Sequence, residues 1–175
     1  LLRTWDVCDT EMESNVVNTL FLEGLASADG QNSLNWNVYS HAYGKIESIE
    51  VIRETASGSQ ALTVLSGNAT AYTDIVDPNN PDLSTACYYL SAELVLDIPD
   101  IGTDVLELRS NTLCLDQTPG IYIPNVFAPK GDNNTEFKPF FQFATPLNYH
   151  LMLFTPYGGW VFEGKILSRG GRGRR

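Results

Sequence analysis

An all-β fold is what this sequence predicts, and three observations carry the prediction. Thr, Val, Tyr and Asn recur in short runs broken by Gly, Pro, Asn and Asp, the composition of strands joined by turns. Apolar and polar residues alternate in several of those runs, as strands with one buried face require. No long stretch carries the 3.6-residue amphipathic period of a helix. With 43% hydrophobic and 18% charged residues the chain can bury a core, and its 175 residues suit one or two small domains; a division near Pro119 into two is the expectation.

The elements follow in order. Val16 to Leu22 reads as a first strand. Leu34, Trp36 and Val38 alternate with Asn35 and Asn37, placing a large aromatic on the inward face of a second. After the turn-like Gly44, residues from Ile46 to Arg53 alternate through Ile49 and Val51 as a third. Ala61 to Leu65 supplies a fourth, closed by Ser66-Gly-Asn68. Tyr72-Thr-Asp74 leads through the loop Asp77-Pro-Asn-Asn-Pro-Asp82 into Cys87-Tyr-Tyr-Leu-Ser-Ala92, where Tyr88, Leu90 and Ala92 share one face. A loop from Asp97 to Asp104 then turns the chain into a seventh strand that ends at Cys114.

The order Leu34-x-Trp36, Ile49-x-Val51 and Tyr88-x-Leu90-x-Ala92 resembles a fibronectin type III domain over about residues 15–115. The implied architecture is a fibronectin type III or immunoglobulin-like β-sandwich, which serves as a spacer or interaction module and carries no chemistry of its own.

Beyond it lies Ile121-Tyr-Ile-Pro-Asn-Val-Phe127, followed by Ala128-Pro-Lys-Gly-Asp-Asn-Asn134 and, later, Phe154-Thr-Pro-Tyr-Gly-Gly-Trp-Val-Phe-Glu163. Pro124, Asn125, Phe127, Pro129, Gly131, Asp132, Phe137, Phe154, Gly158, Val161, Phe162 and Glu163 resemble the start of the gliding-motility-associated C-terminal domain. That family ends many secreted and surface proteins of gliding gram-negative bacteria and is read by their type IX secretion machinery. Departures stand beside the matches: Lys130 replaces an Asn, Asn133 a second Gly, and Thr155-Pro156-Tyr157 occupies the place of Asn-Arg-Trp. The family's further strands do not follow, so a short, truncated β-rich C-terminal domain is expected. The domain plan is therefore an N-terminal segment of an upstream region (1–14), the sandwich (15–115), a linker (116–119), a partial sorting domain (120–166) and a Gly/Arg tail (167–175). The resemblance implies a secreted or cell-surface location, with the type IX machinery as partner.

The charge is uneven. Of 11 basic residues against 21 acidic ones, Lys165, Arg169, Arg172, Arg174 and Arg175 all follow Glu163, the last acid. The acidic body repels nucleic acid and anionic lipid. Arginine-rich tails of this kind can bind RNA, but eight residues of Ser, Gly and Arg are more ordinarily a frayed terminus or processing remnant, and no nucleic-acid partner is expected. No stretch reaches the roughly 18 to 20 apolar residues that a membrane-spanning helix needs.

Chemistry finds little purchase. Cys8, Cys87 and Cys114 lack the close pairing of a zinc site. Cys87 and Cys114, at the start of one strand and the end of its hairpin partner, are placed for a disulfide. Closing a loop of roughly 28 residues would stabilise the fold by about 3 to 4 kcal/mol in the chain-entropy view and would imply an oxidising compartment; the alternative is two buried thiols. Cys8 is left over, with a partner upstream or within reach of the pair. Asp132, Asn134 and Glu136 offer oxygens to calcium, but the EF-hand spacing is missing and an Asx-rich turn explains them as well. Asp77, Asp82, Asp97, Asp100 and Asp104 read as solvated loop acids. His41 and His150 are the only imidazole bases, neither beside a recognisable nucleophile, and no Gly-rich phosphate loop is present. No enzyme and no cofactor is expected. The rival reading is a carbohydrate-binding or adhesin sandwich using Trp36, Tyr39 and Tyr43 as stacking platforms for a cell-surface polysaccharide.

Overall fold

The computed structural model describes residues 2–14, 18–126 and 137–167, with side chains as far as Gly164. It is all-β apart from one turn of 3-10 helix at Pro81–Ser84. The strands are β1 (Arg3–Trp5), β2 (Glu11–Glu13), β3 (Leu22–Ala26), β4 (Gln31–Trp36), β5 (Gly44–Thr55), β6 (Gly58–Ser66), β7 (Ala71–Ile75), β8 (Thr85–Ile98), β9 (Gly102–Arg109), β10 (Leu113–Asp116), β11 (Gly120–Tyr122), β12 (Phe140–Gln142), β13 (Asn148–Phe154) and β14 (Trp160–Leu167). All pairings are antiparallel.

Two sheets make a sandwich. One has three strands in the order β3-β4-β7; the other runs β6-β5-β8, with β9 and β10 both pairing β8. Leu22, Leu34 and Trp36 from the first sheet meet Ile49, Val51, Tyr88, Leu90 and Leu94 from the second in a single buried cluster. Strand β4 shows the expected period of two, with Asn32, Leu34 and Trp36 buried. Along β8, Ala86, Tyr88, Leu90, Ala92, Leu94 and Leu96 all point inward, so the Tyr88-x-Leu90-x-Ala92 face is part of a longer one.

In β5, Ile46 and Ile49 share the buried face although they are three positions apart. The pairing with β8 slips between Ile46 and Ser48, and this bulge at Glu47 reverses the parity so that both isoleucines face the core. A second irregularity opposite Leu62 does the same for β6, where Leu62 and Leu65 both pack against the core.

Three sequence readings need correction. Of the strand expected from Val16 to Leu22, residues 15–17 lie outside the described residues, and 18–21 are not in a ladder. The Asn37 side chain holds that stretch instead, accepting from the Phe21 N–H at 2.6 Å and donating to the Thr19 carbonyl at 2.9 Å. The strand begins at Leu22, where the Asn111 side-chain amide binds both backbone groups of Leu22, at 2.7 and 2.9 Å. Its centre is Gly24, where a Cβ would stand 2.4 Å from the Ser33 carbonyl oxygen, so close strand approach outweighs poor strand propensity.

Second, Val38 lies past the end of β4 and is exposed, because Asn37 has already turned the chain. Third, the seventh strand is two. The turn after β8 is only Pro99 to Ile101, and a break at Ser110–Thr112 divides β9 from β10. Ser110 bridges the break: its hydroxyl accepts from the Leu90 N–H at 2.9 Å and donates to the Asn111 carbonyl at 2.8 Å. Cys114 consequently sits inside β10 rather than at a strand end.

Outside the sandwich, β1–β2, β11–β12 and β13–β14 are separate two-stranded ladders. Among the described residues after Gln117, only Pro124 and Phe143 are buried. Phe143 joins Val76 and Leu83 in a small second cluster.

Candidate functional site

Disulfide pairing is settled by register. Cys87 and Cys114 face each other across β8 and β10 with Cα atoms 3.9 Å apart, and their sulfurs are bonded. Cys8 is free and exposed in the β1–β2 connection.

A buried polar chain crosses the sandwich, one that residue types and spacing do not reveal. Arg53 donates to Asp74 at 2.8 Å; Tyr88 donates its hydroxyl proton to the same carboxylate oxygen at 2.8 Å. The Asn32 amide donates to the Tyr88 oxygen at 2.7 Å, and Gln117 donates to the Asn32 carbonyl oxygen at 2.6 Å. Burial pushes the Tyr88 phenol well above its ordinary range; the Asn32 hydrogen bond works the other way, and the hydrogen bond to Asp74 adds to the rise. Five side chains from both sheets and from the stretch after β10 thus satisfy one another. Among the described residues no buried side-chain polar atom lacks a partner. The arrangement offers an inward phenol without solvent, which suits a structural tie and not a proton shuttle.

The acidic loop residues divide by role. Asp77 accepts from the backbone and side chain of Asn79, and Asn80 caps the 3-10 turn through the Asp82 N–H. Asp82 accepts hydrogen bonds from the Ser57 and Thr55 hydroxyls, which hold its carboxyl below the usual carboxylate range. Asp104 accepts from the Val105 N–H. Asp77 and Asp82 thus serve turns, whereas Asp104 lies within β9 rather than in a loop. The calcium candidates Asp132, Asn134 and Glu136 lie outside the described residues. Among the described residues no three His, Cys, Asp or Glu side chains gather as a metal would need.

The imidazoles are engaged locally. His41 accepts from the Tyr43 N–H at 3.1 Å. His150 is exposed, as its alternating strand suggests, but it has a partner in Glu163 at 2.8 Å. Of the three rings proposed as a sugar platform, Trp36 is only 5% exposed and donates its indole N–H to the Ala69 carbonyl at 2.7 Å. Tyr39 is partly buried against the core, and Tyr43 alone stands open. That separation provides no stacking surface.

The residues resembling a sorting signal are placed in two locations. Pro124 and Asn125 follow β11, the proline buried and the asparagine exposed. Phe127, Pro129, Gly131 and Asp132 lie outside the described residues. Phe154, Gly158, Val161 and Phe162 belong to the β13–β14 hairpin. Its turn closes with Thr155 and Gly159: the Thr155 N–H donates to the Gly159 carbonyl at 2.7 Å, and the Gly159 N–H to the Thr155 hydroxyl at 2.9 Å. Gly158 supplies the left-handed backbone at φ 82°. A bulge between Leu153 and Phe154 brings Phe154 opposite Trp160. Phe154, Trp160, Val161 and Phe162 are all exposed, an uncommon concentration of apolar surface on one hairpin. Beside it, Pro119, Ile121, Phe141, Pro146 and Tyr149 line an open recess of about 330 Å³, with the Phe141 and Tyr149 rings 5.5 Å apart.

No protein-family model matches this chain, and no curated protein sequence matches it. Among solved structures it is similar to two crystal structures of the pectate lyase Pel3 from Pectobacterium carotovorum, each 21% identical over 55% of this chain. They cover 26% and 27% of the lyase chain, with TM-scores of 0.36 and 0.33. This chain therefore spans about a quarter of the length of those proteins. It is also similar to the solution structure of the fn3 domain of human collagen alpha-1(XX), 15% identical over 70% of this chain and 99% of that one, with a TM-score of 0.30. Similarity at this level assigns neither a family nor an activity. The class of the protein rests on its own architecture: an all-β sandwich with a cross-strand disulfide, and no helix long and apolar enough to cross a membrane among the described residues.

Proposed function

We propose that this chain is a non-catalytic part of a secreted or cell-surface bacterial protein, its sandwich a spacer or interaction module and its C-terminal segment a sorting signal for type IX secretion. The observation that supports this reading is the β13–β14 hairpin, which gathers Phe154, Gly158, Val161 and Phe162 on one solvent-facing element. An exposed aromatic hairpin with a rigid turn suits recognition by another protein, because aromatic rings offer large contact area with little rotamer entropy to lose. The Cys87–Cys114 bond agrees with export to an oxidising compartment. The inward, fully partnered network suits a structural module better than a catalyst.

A fluorescent reporter carrying an export signal, fused ahead of the whole chain in a type IX-competent gliding bacterium, tests this. The reporter is expected at the cell surface or in the medium, and the Phe154→Ala/Phe162→Ala variant in the periplasm. A wild-type fusion that stays periplasmic, or equal export of both, overturns the reading.

A further inference from the structure

Among the described residues after Gln117, Phe143 is the one apolar side chain in a buried cluster, and that cluster belongs to the sandwich. Its ring packs with Val76, at the end of β7, and Leu83, in the 3-10 turn. The Phe143 N–H donates to the Pro78 carbonyl at 2.7 Å. The floor of the receptor is Gly30, at the β3–β4 turn. A Cβ built there would stand 2.9 Å from the Val76 carbonyl oxygen and 3.4 Å from the tip of the Phe143 ring, on a backbone with φ +80°. Glycine is thus required by the turn and by the close approach of the Val76 carbonyl, and the ring tip lies at contact distance beside it.

We infer that Gly30, Val76, Pro78 and Leu83 form a receptor at one end of the sandwich for the chain's own Phe143, a releasable latch that couples strands β11–β14 to the sandwich. Two features make it releasable. Phe143 holds a left-handed backbone, φ 50°, that a bulky side chain adopts only when its surroundings impose it. Release of the ring relieves that strain. Moreover, β11 pairs with β12 and β13 with β14 in separate two-stranded ladders, and among the described residues no ladder pairing joins either to the sandwich sheets. The Phe143 ring and its backbone hydrogen bond to Pro78 make a small contact, and a contact of that size opens at the low end of the range of local opening energies. This inference concerns coupling within the chain and does not depend on the sorting reading; export could fail with the latch intact.

Hydrogen exchange on the full oxidised chain tests it. Phe143→Ala should raise exchange of the described amides between 140 and 154 at least tenfold while leaving β8 amides between 86 and 96 unchanged. Leu83→Ala, from the receptor side, should give the same pattern, and Phe143→Leu should restore part of the protection. Unchanged exchange in 140–154 for both alanine variants would overturn the proposal. So would an equal rise in both regions, since Phe143 would then be an ordinary core residue of one cooperative body.

Discussion

The described residues of 18–117 and of 118–167 both form antiparallel strands, yet most of their aromatic rings lie differently, with Phe21 and Tyr43 exposed in the first and Phe143 buried in the second as the exceptions. In the sandwich, Trp36 and Tyr88 are buried and each has its polar atom satisfied, by Ala69 for the indole and by Asp74 and Asn32 for the phenol. After Gln117, Tyr122, Phe140, Phe154, Tyr157, Trp160 and Phe162 are exposed. The first region buries two facing sheets against each other; among its described residues the second has two-stranded ladders whose aromatic rings are mostly exposed. A lone hairpin is marginal in water whatever its composition, so apolar content alone does not make a core. The difference teaches that the aromatic burial that stabilises the fold resides mainly in the first region, while the second holds the denser share of exposed rings.

The largest effect that would break this comparison is Trp36→Ala. Removing the ring from a site 5% exposed should cost about 3 to 5 kcal/mol through lost burial and the cavity left behind. Chemical denaturation should show the sandwich at the edge of unfolding, since that is a large share of a small domain's stability. A stable mutant would mean that the core is not where the stability lies.

Next comes the disulfide. Its cysteines are separated by 27 positions, and opening the bond should cost about 3 to 4 kcal/mol. Reduction should lower the melting temperature of the sandwich. Alkylation of the unreduced protein should label Cys8 and spare Cys87 and Cys114. Labelling of all three would sink the pairing.

How much of this was legible beforehand follows from the same physics. The alternation around Leu34 and Trp36, the Tyr88-x-Leu90-x-Ala92 face and the cysteine pairing were readable because period-two patterning and strand adjacency are local signals. Asn32, Asp74 and Gln117 were not. Polar types read as exterior, and their burial depends on partners up to 85 positions away, as for Gln117 and Asn32. The bulge at Glu47 and the break at Ser110 were equally hidden, since each depends on how another strand pairs. Phe143 stood in a segment read for its resemblance to a label, and only tertiary contact with Val76 and Leu83 shows its docking.

The buried chain gives a sharper, smaller test. Tyr88→Phe keeps the ring and deletes the hydroxyl, leaving Asp74 and Asn32 each one partner short, at a cost of about 1 to 3 kcal/mol. It should also alter the response to alkali. The folded phenol is held above its unfolded value, which lies near 10. Its contribution is therefore fully present below about pH 10 and is lost as pH rises beyond it, by roughly 1.4 kcal/mol per pH unit while only the unfolded tyrosine ionises. Stability measured against pH from 8 to 11 should fall less steeply for the variant than for the wild type. Identical slopes would show that the inward phenol does not contribute as the geometry requires.

The smallest effect expected falls on the other side of the comparison. Trp160 is as large as Trp36 but 63% exposed, on a hairpin with no covering layer, so Trp160→Ala should change global stability by no more than about 0.5 kcal/mol. Two tryptophans with the same chemistry would then differ about tenfold in their contribution because one has a second sheet above it and the other has water. Denaturant midpoints for the two variants, measured side by side, make the test. A cost above about 1 kcal/mol for Trp160→Ala would mean that the hairpin is covered in solution, by another part of the chain or by a second copy. Repeating the measurement over a range of protein concentrations separates those two, because only covering by a second copy makes the cost depend on concentration. Either result would move the aromatic hairpin from the exposed side of the comparison to the buried one, and with it the argument that its rings are free to be recognised.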